Sequence, residues 1–127
     1  MLDTDLVNRT LAVAMRTGAD FAEIFAEDRR SSSAILDDGR VEEVVSGRDR
    51  GAGIRVVAGD TTGFAHTADL SESGLASAAG AAAAAARRGG GGTRTVAVSA
   101  VRTPRRLEVR IPPEEVPKDR KVALLTA

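Results

Sequence analysis

The chain of 127 residues contains no cysteine, tryptophan or tyrosine, a single histidine and three phenylalanines. Without cysteine there can be no disulfide, no thiol nucleophile and no thiolate-bound zinc or iron–sulfur cluster. With His66 alone, a multi-histidine metal site within the chain is excluded. The scarcity of rings removes the stacking platforms on which single-stranded nucleic acids are held. Lysine is nearly missing too, at two residues against sixteen arginines. No stretch offers the roughly 20 strongly apolar residues that a membrane span needs. The start, Met1-Leu2-Asp3-Thr4-Asp5, is acidic where a secretory leader is basic. These absences predict a cytoplasmic, soluble chain with neither a membrane nor a nucleic-acid partner.

What is present suits one domain with a lean core. Val, Ile, Leu and Phe total 29 residues, and 23 alanines supply much of the 43% apolar content. The formal net charge of zero hides two halves. Residues 1–75 carry 14 acids against 8 bases, and residues 76–127 carry 4 acids against 10 bases. Seven arginines from Arg87 to Arg110 lie in a Gly, Pro and Val-rich stretch without helical or aromatic pattern. That pattern reads as a solvated linker rather than an RNA-binding arm.

Leu6, Val7, Thr10, Leu11, Ala14 and Met15 recur at three- and four-residue steps, which predicts a helix over Thr4–Thr17, capped by Asp3 or Thr4 and stopped by Gly18. Five β-prone runs follow, Phe21–Arg29, Ser32–Leu36, Arg40–Ser46, Gly53–Ala58 and Thr62–Thr67. Asp38-Gly39, Gly47 through Gly51 and Gly59-Asp60 are read as the reversals between them. Ile54, Val56 and Ala58 share one face by period-two alternation, as do Thr62, Phe64 and His66. A second helix is predicted from Asp69 or Ser71 to Arg88, with Gly74 and Gly80 inside it and Gly89–Gly92 ending it. Its small side chains invite a neighbouring element to approach closely. Thr95–Val101 and Leu107–Ile111 read as extended, Pro112, Pro113 and Pro117 as a rigid crossing, and Lys118–Ala127 as the start of a further helix. Because Val122, Leu124 and Leu125 find no partner there, the expectation is a piece of a longer protein.

The expected fold class is α+β: an antiparallel meander of four to five strands with two flanking helices and an extended tail. Residues 1–88 form the domain, and residues 89–127 the linker and the start of the next.

Candidate chemistry is sparse. His66 lies two residues after Phe64 on one face and reads as a strand-end histidine with a satisfied hydrogen bond. Asp37-Asp38, Glu42-Glu43 and Glu114-Glu115 are adjacent pairs, and neighbours on a strand point to opposite faces, so solvation explains them. Ser31-Ser32-Ser33 has no nearby base to activate a nucleophile and reads as a polar edge or bulge. Gly89–Gly92 follows a helix where a phosphate loop precedes one. Gly51 and Gly53 would let a helix or an extended peptide approach the backbone.

An N-terminal helix, then Gly-Ala-Asp-Phe-Ala-Glu (18–23), Asp-Gly-Arg-Val-Glu (38–42), Ser-Gly-Arg-Asp-Arg-Gly-Ala-Gly-Ile-Arg-Val (46–56) and Gly-Phe-Ala-His-Thr-Ala-Asp-Leu (63–70) precede an Ala-rich helix. Together, in this order, they resemble the N-terminal domain of the TldD/PmbA family. Residues 112–125 look like that family's crossing into its next helix. The resemblance implies a cytoplasmic zinc-dependent peptidase acting on unfolded or extended peptides, as a homodimer or with a related subunit. It also implies that zinc sits on a His-Glu-x-x-x-His helix beyond the matched segment. This chain has no such motif. No residue here therefore inherits a catalytic, cofactor-binding or metal role, and the chain alone is expected to be inactive. The functional expectation is an accessory domain that shapes a substrate cleft or dimer surface. The alternative is a stand-alone interaction module or a truncated gene product.

Overall fold

Helix α1 (Thr4–Met15) buries Thr10, Leu11, Ala14 and Met15, the stripe anticipated from the spacing. Its threonine hydroxyl is buried without penalty because Thr10 Oγ1 donates to the Leu6 carbonyl at 2.8 Å. The helix ends two residues earlier than the apolar pattern suggests. Gly18, at φ 80°, takes the left-handed position after it and donates its N–H to the Met15 carbonyl at 3.0 Å.

The computed structural model describes residues 2–86, 101 and 109–127. After α1 come β1 (Phe21–Asp37), β2 (Arg40–Ala58), β3 (Thr61–Thr67) and α2 (Glu72–Ala85), then a 3₁₀ turn (Pro113–Glu115) and α3 (Lys118–Leu125). The fold is α+β, with an antiparallel sheet in the order β1-β2-β3. The chain divides into two units, one built from residues up to 28 with 50–100, the other from residues 29–49 with 101–127.

Among the described residues three strands replace the four to five expected, while α3 forms where a further helix was expected beside the two flanking ones. Phe21–Arg29 and Ser32–Leu36 are one strand, as are Arg40–Ser46 and Gly53–Ala58. The reason lies in the glycines. Asp38 (φ 44°) and Gly39 (φ 72°) supply the two positive angles of a hairpin turn, and Gly59 (φ 58°) opens the next reversal. Gly47 and Gly51 are not in the left-handed region and remain within β2. A glycine at ordinary strand angles lets something come close and does not turn the chain. At Gly51 it is the Thr67 carbonyl oxygen of β3, 2.9 Å from where a Cβ would sit.

In the first unit Ala52, Ile54 and Val56 of β2 are buried, with Arg55 exposed between them. Against that inner face lie Ala14 and Met15 of α1 and Ala78, Ala79 and Ala82 of α2, making two layers around one core. Alanine brings α2 near enough for its backbone to reach the sheet. A Cβ on Gly63 of β3 would collide with the Ala82 carbonyl oxygen and the Ala86 amide. The N-terminus of α2 is capped by Ser71, whose Oγ accepts from the Gly74 N–H at 3.2 Å. Asp69 holds the cap in place by accepting the Ser71 N–H at 2.9 Å, and hydrogen bonds from the backbone and then the hydroxyl of Ser71 lower the Asp69 pKa.

The second unit has no buried side chain among its described residues. In α3, Leu124 is 73% exposed and Leu125 is exposed as well, in keeping with a helix whose leucines find no partner. Arg87–Ala100 and Arg102–Glu108 lie outside the described residues, and with them Gly89–Gly92, most of the arginine stretch and most of the two tail runs expected to be extended.

Candidate functional site

The outer face of the sheet in the first unit gathers the chain's rings. Residues two apart on a strand share a face, which puts Phe21, Glu23 and Phe25 together on β1. On β2 and β3 the register pairs Arg55 with Phe64 and Gly53 with His66. All three phenylalanines are exposed, at 46% for Phe21, 67% for Phe25 and 62% for Phe64. None contributes to the core. The three large rings of a lean chain thus lie together on one exposed face of the sheet.

The polar groups on this face are organised. Arg55 Nε lies 2.6 Å from Glu23 Oε1, and the guanidinium carbon sits 5.6 Å from the centroid of the Phe21 ring. The hydrogen bond to Glu23, and then its charge, raise the Arg55 pKa above its ordinary value. His66 stacks on Phe64, with ring centroids 6.4 Å apart and planes 29° apart. Gly53 makes room beneath: a Cβ there would stand 3.1 Å from the Phe64 ring. The occupant of that space is thus a ring of the same sheet, not a helix or a second peptide.

Such an arrangement can bind by apolar contact, stacking and one oriented cation. For proton transfer or nucleophilic attack it is poorly furnished. Among the described residues no carboxylate or hydroxyl is hydrogen-bonded to His66, and the outer-face carboxylate Glu23 is engaged by Arg55. The other sequence candidates belong to the second unit. Asp37 ends β1 and Asp38 is in the hairpin turn; Glu42 and Glu43 are exposed on β2; Ser31, Ser32 and Ser33 are exposed on β1. Glu114, in the 3₁₀ turn, pairs with Arg30 at 3.2 Å.

Residues 22–86, from the second residue of β1 to the end of the described α2 segment, match the family of PmbA/TldA metallopeptidase domain 1. The chain belongs to that family. A metalloprotease of Methanothermobacter thermautotrophicus is 37% identical to it over 73 residues, which are 58% of this chain and 16% of that protein. A metalloprotease TldD homolog of Haemophilus influenzae is 28% identical over 78 residues, 61% of this chain and again 16% of the relative. The chain therefore spans about a sixth of the curated relatives it matches.

The metal implied by a PmbA/TldA metallopeptidase does not fit the residues present in this domain 1. Zinc in a hydrolytic site takes about three protein ligands and keeps one position open. Among the described residues no three His, Asp or Glu side chains converge, and His66 faces Phe64. No helix among them is long and apolar enough to cross a membrane. The exposed aromatic face is the feature that sequence reasoning missed. The alternation was visible, but which face the helices cover depends on the alanine surface of α2.

Proposed function

We propose that this chain is the accessory first domain of a TldD/PmbA-type zinc metallopeptidase that acts on extended peptides. It shapes the substrate cleft or the subunit surface while zinc and catalysis belong to a segment outside residues 1–127. Residues 1–88 act as the domain and residues 89–127 as the linker into the next. The observation that carries this reading is the sheet face on which Phe21, Phe25 and Phe64 stand exposed around the Arg55–Glu23 pair. A face of that composition is suited to another apolar surface or to an extended peptide. The assembly would be a homodimer or a pair of related subunits in the cytoplasm.

The test transplants residues 22–86 into the Haemophilus influenzae relative in place of the matching segment and follows peptide hydrolysis and zinc content. A working chimera whose activity falls with Phe25→Ser and Phe64→Ser, at unchanged zinc content, is the expected result. The isolated chain should neither retain zinc on dialysis against a mild chelator nor cleave peptides. Stoichiometric zinc, with peptidase activity abolished by His66→Ala, would overturn the accessory role.

A further inference from the structure

The second unit contains an open cleft of about 650 Å³. One wall is strand backbone and side chain from Arg30 to Ser32 and from Ser46 to Arg48; the other comes from the segment Pro113–Lys121. Its charge is lopsided. Arg30, Arg48, Lys118 and Lys121 line it against the single acid Glu114. These two lysines are the only lysines in the chain.

Among the described residues, internal contacts leave the two lysines of the cleft without a carboxylate partner. Lys121 Nζ donates to the Ser32 hydroxyl at 2.9 Å, a neutral partner. Lys118 makes no ion pair among the described residues. Arg30 meets Glu114 at 3.2 Å, but both side chains are about half exposed, and an ion pair in that setting is readily exchanged for another carboxylate. The remaining lining is apolar or a small hydroxyl: Pro113, Val116 and Pro117 on one side, Ser31 and Ser46 on the other. Prolines carry no N–H, so Pro113 and Pro117 offer a ligand contact area but no backbone donor, and the donors of this wall are Lys118 and Lys121.

We infer that this cleft binds an acidic peptide segment, with the two lysines and Arg30 taking its carboxylates and the proline wall taking its aliphatic parts. Charge sign calls for an anion. A nucleic acid is disfavoured because no aromatic side chain lines the cleft on which a base could stack. Apolar side chains interleaved with cations suit a peptide, whose carboxylates are spaced by carbon, better than a bare inorganic anion. The choice of a peptide as carrier rests on the proposed peptidase function; the anion preference does not.

Isothermal titration of the full chain at low salt provides the test, with four probes. These are a blocked glutamate-rich decapeptide, its glutamine counterpart, a neutral peptide with a free C-terminal carboxylate, and inorganic phosphate. The glutamate peptide should bind at least about tenfold more tightly than the glutamine peptide, and its affinity should fall with added salt. Lys118→Glu with Lys121→Glu should remove that preference, while Lys118→Arg with Lys121→Arg should retain most of it. Both positions are on the surface, so the folded state should persist, as circular dichroism will report. Tighter binding of the neutral peptide with a free terminus than of the glutamate peptide would place the recognised carboxylate at a chain end and overturn the inference. Equal binding of glutamate and glutamine peptides, indifference to the lysine changes, or phosphate binding as tightly as the glutamate peptide would overturn the inference. A chain that holds zinc and cleaves peptides alone would refute the accessory function and leave this binding result standing. Failure of acidic peptides to bind a metal-free, inactive chain would refute this inference only.

Discussion

The Ala82 carbonyl oxygen of α2 occupies the place where a side chain on Gly63 of β3 would begin. Helix and sheet meet there backbone to backbone, so the spacing of the two layers is set by one residue that has no Cβ.

Gly63→Ala is therefore expected to push α2 from the sheet and cost about 3 kcal/mol, at the upper end of overpacking effects in cores. Urea unfolding followed by circular dichroism measures it. A cost near zero would mean that the layers do not touch where the structure places them.

The two glycines inside α2 should respond in opposite directions. Gly80 is exposed, and a Cβ added there would meet nothing within 4 Å, so Gly80→Ala should gain about 1 kcal/mol from helix propensity. Gly74→Ala should destabilise, because its Cβ would stand 2.5 Å from both Cγ and the carbonyl oxygen of Asp69. Thermal melts of the two variants beside the parent decide the point.

Asp69 should give the cap of α2 an acid sensitivity. Its folded pKa is lowered by the Ser71 hydrogen bonds, so its stabilising effect is present above the unfolded value of about 3.9 and lost as pH falls through the lower folded value. The Ser71 amide resonance, followed by NMR from pH 5 downward, should shift in that window. Asp69→Asn should abolish the titration while leaving the rest of the spectrum in place.

Replacing the exposed rings should leave the fold intact. Phe25→Ser and Phe64→Ser are expected to change stability by less than about 0.5 kcal/mol, as surface substitutions do, and to reduce binding of an apolar dye. A loss of several kcal/mol in either variant would move that ring into the core.

Much of this fold was legible in the sequence. The stripe Leu11, Ala14, Met15, the Asp38-Gly39 turn and the Ser71 cap each have a local cause, readable from spacing and residue type. The continuity of β1 and β2 was not legible, since a glycine such as Gly47 or Gly51 reads alike in a turn and in an extended strand. The cleft was hidden for another reason. Arg30 and Glu114 are 84 residues apart, and no local pattern announces such a meeting. His66's stacking on Phe64 follows from its place opposite Gly53 in the register, which no local pattern announces.

The alanine surface of α2 also bears on heat capacity. Ala78, Ala79, Ala82, Ala83 and Ala86 each hide one methyl group where a conventional helix would hide leucines, and the sheet's rings keep about half or more of their surface in water when folded. Unfolding then exposes little new apolar area. Its heat-capacity increment should fall below the usual value of about 12–15 cal/mol/K per residue, and the stability curve should be broad and shallow, losing little on cooling.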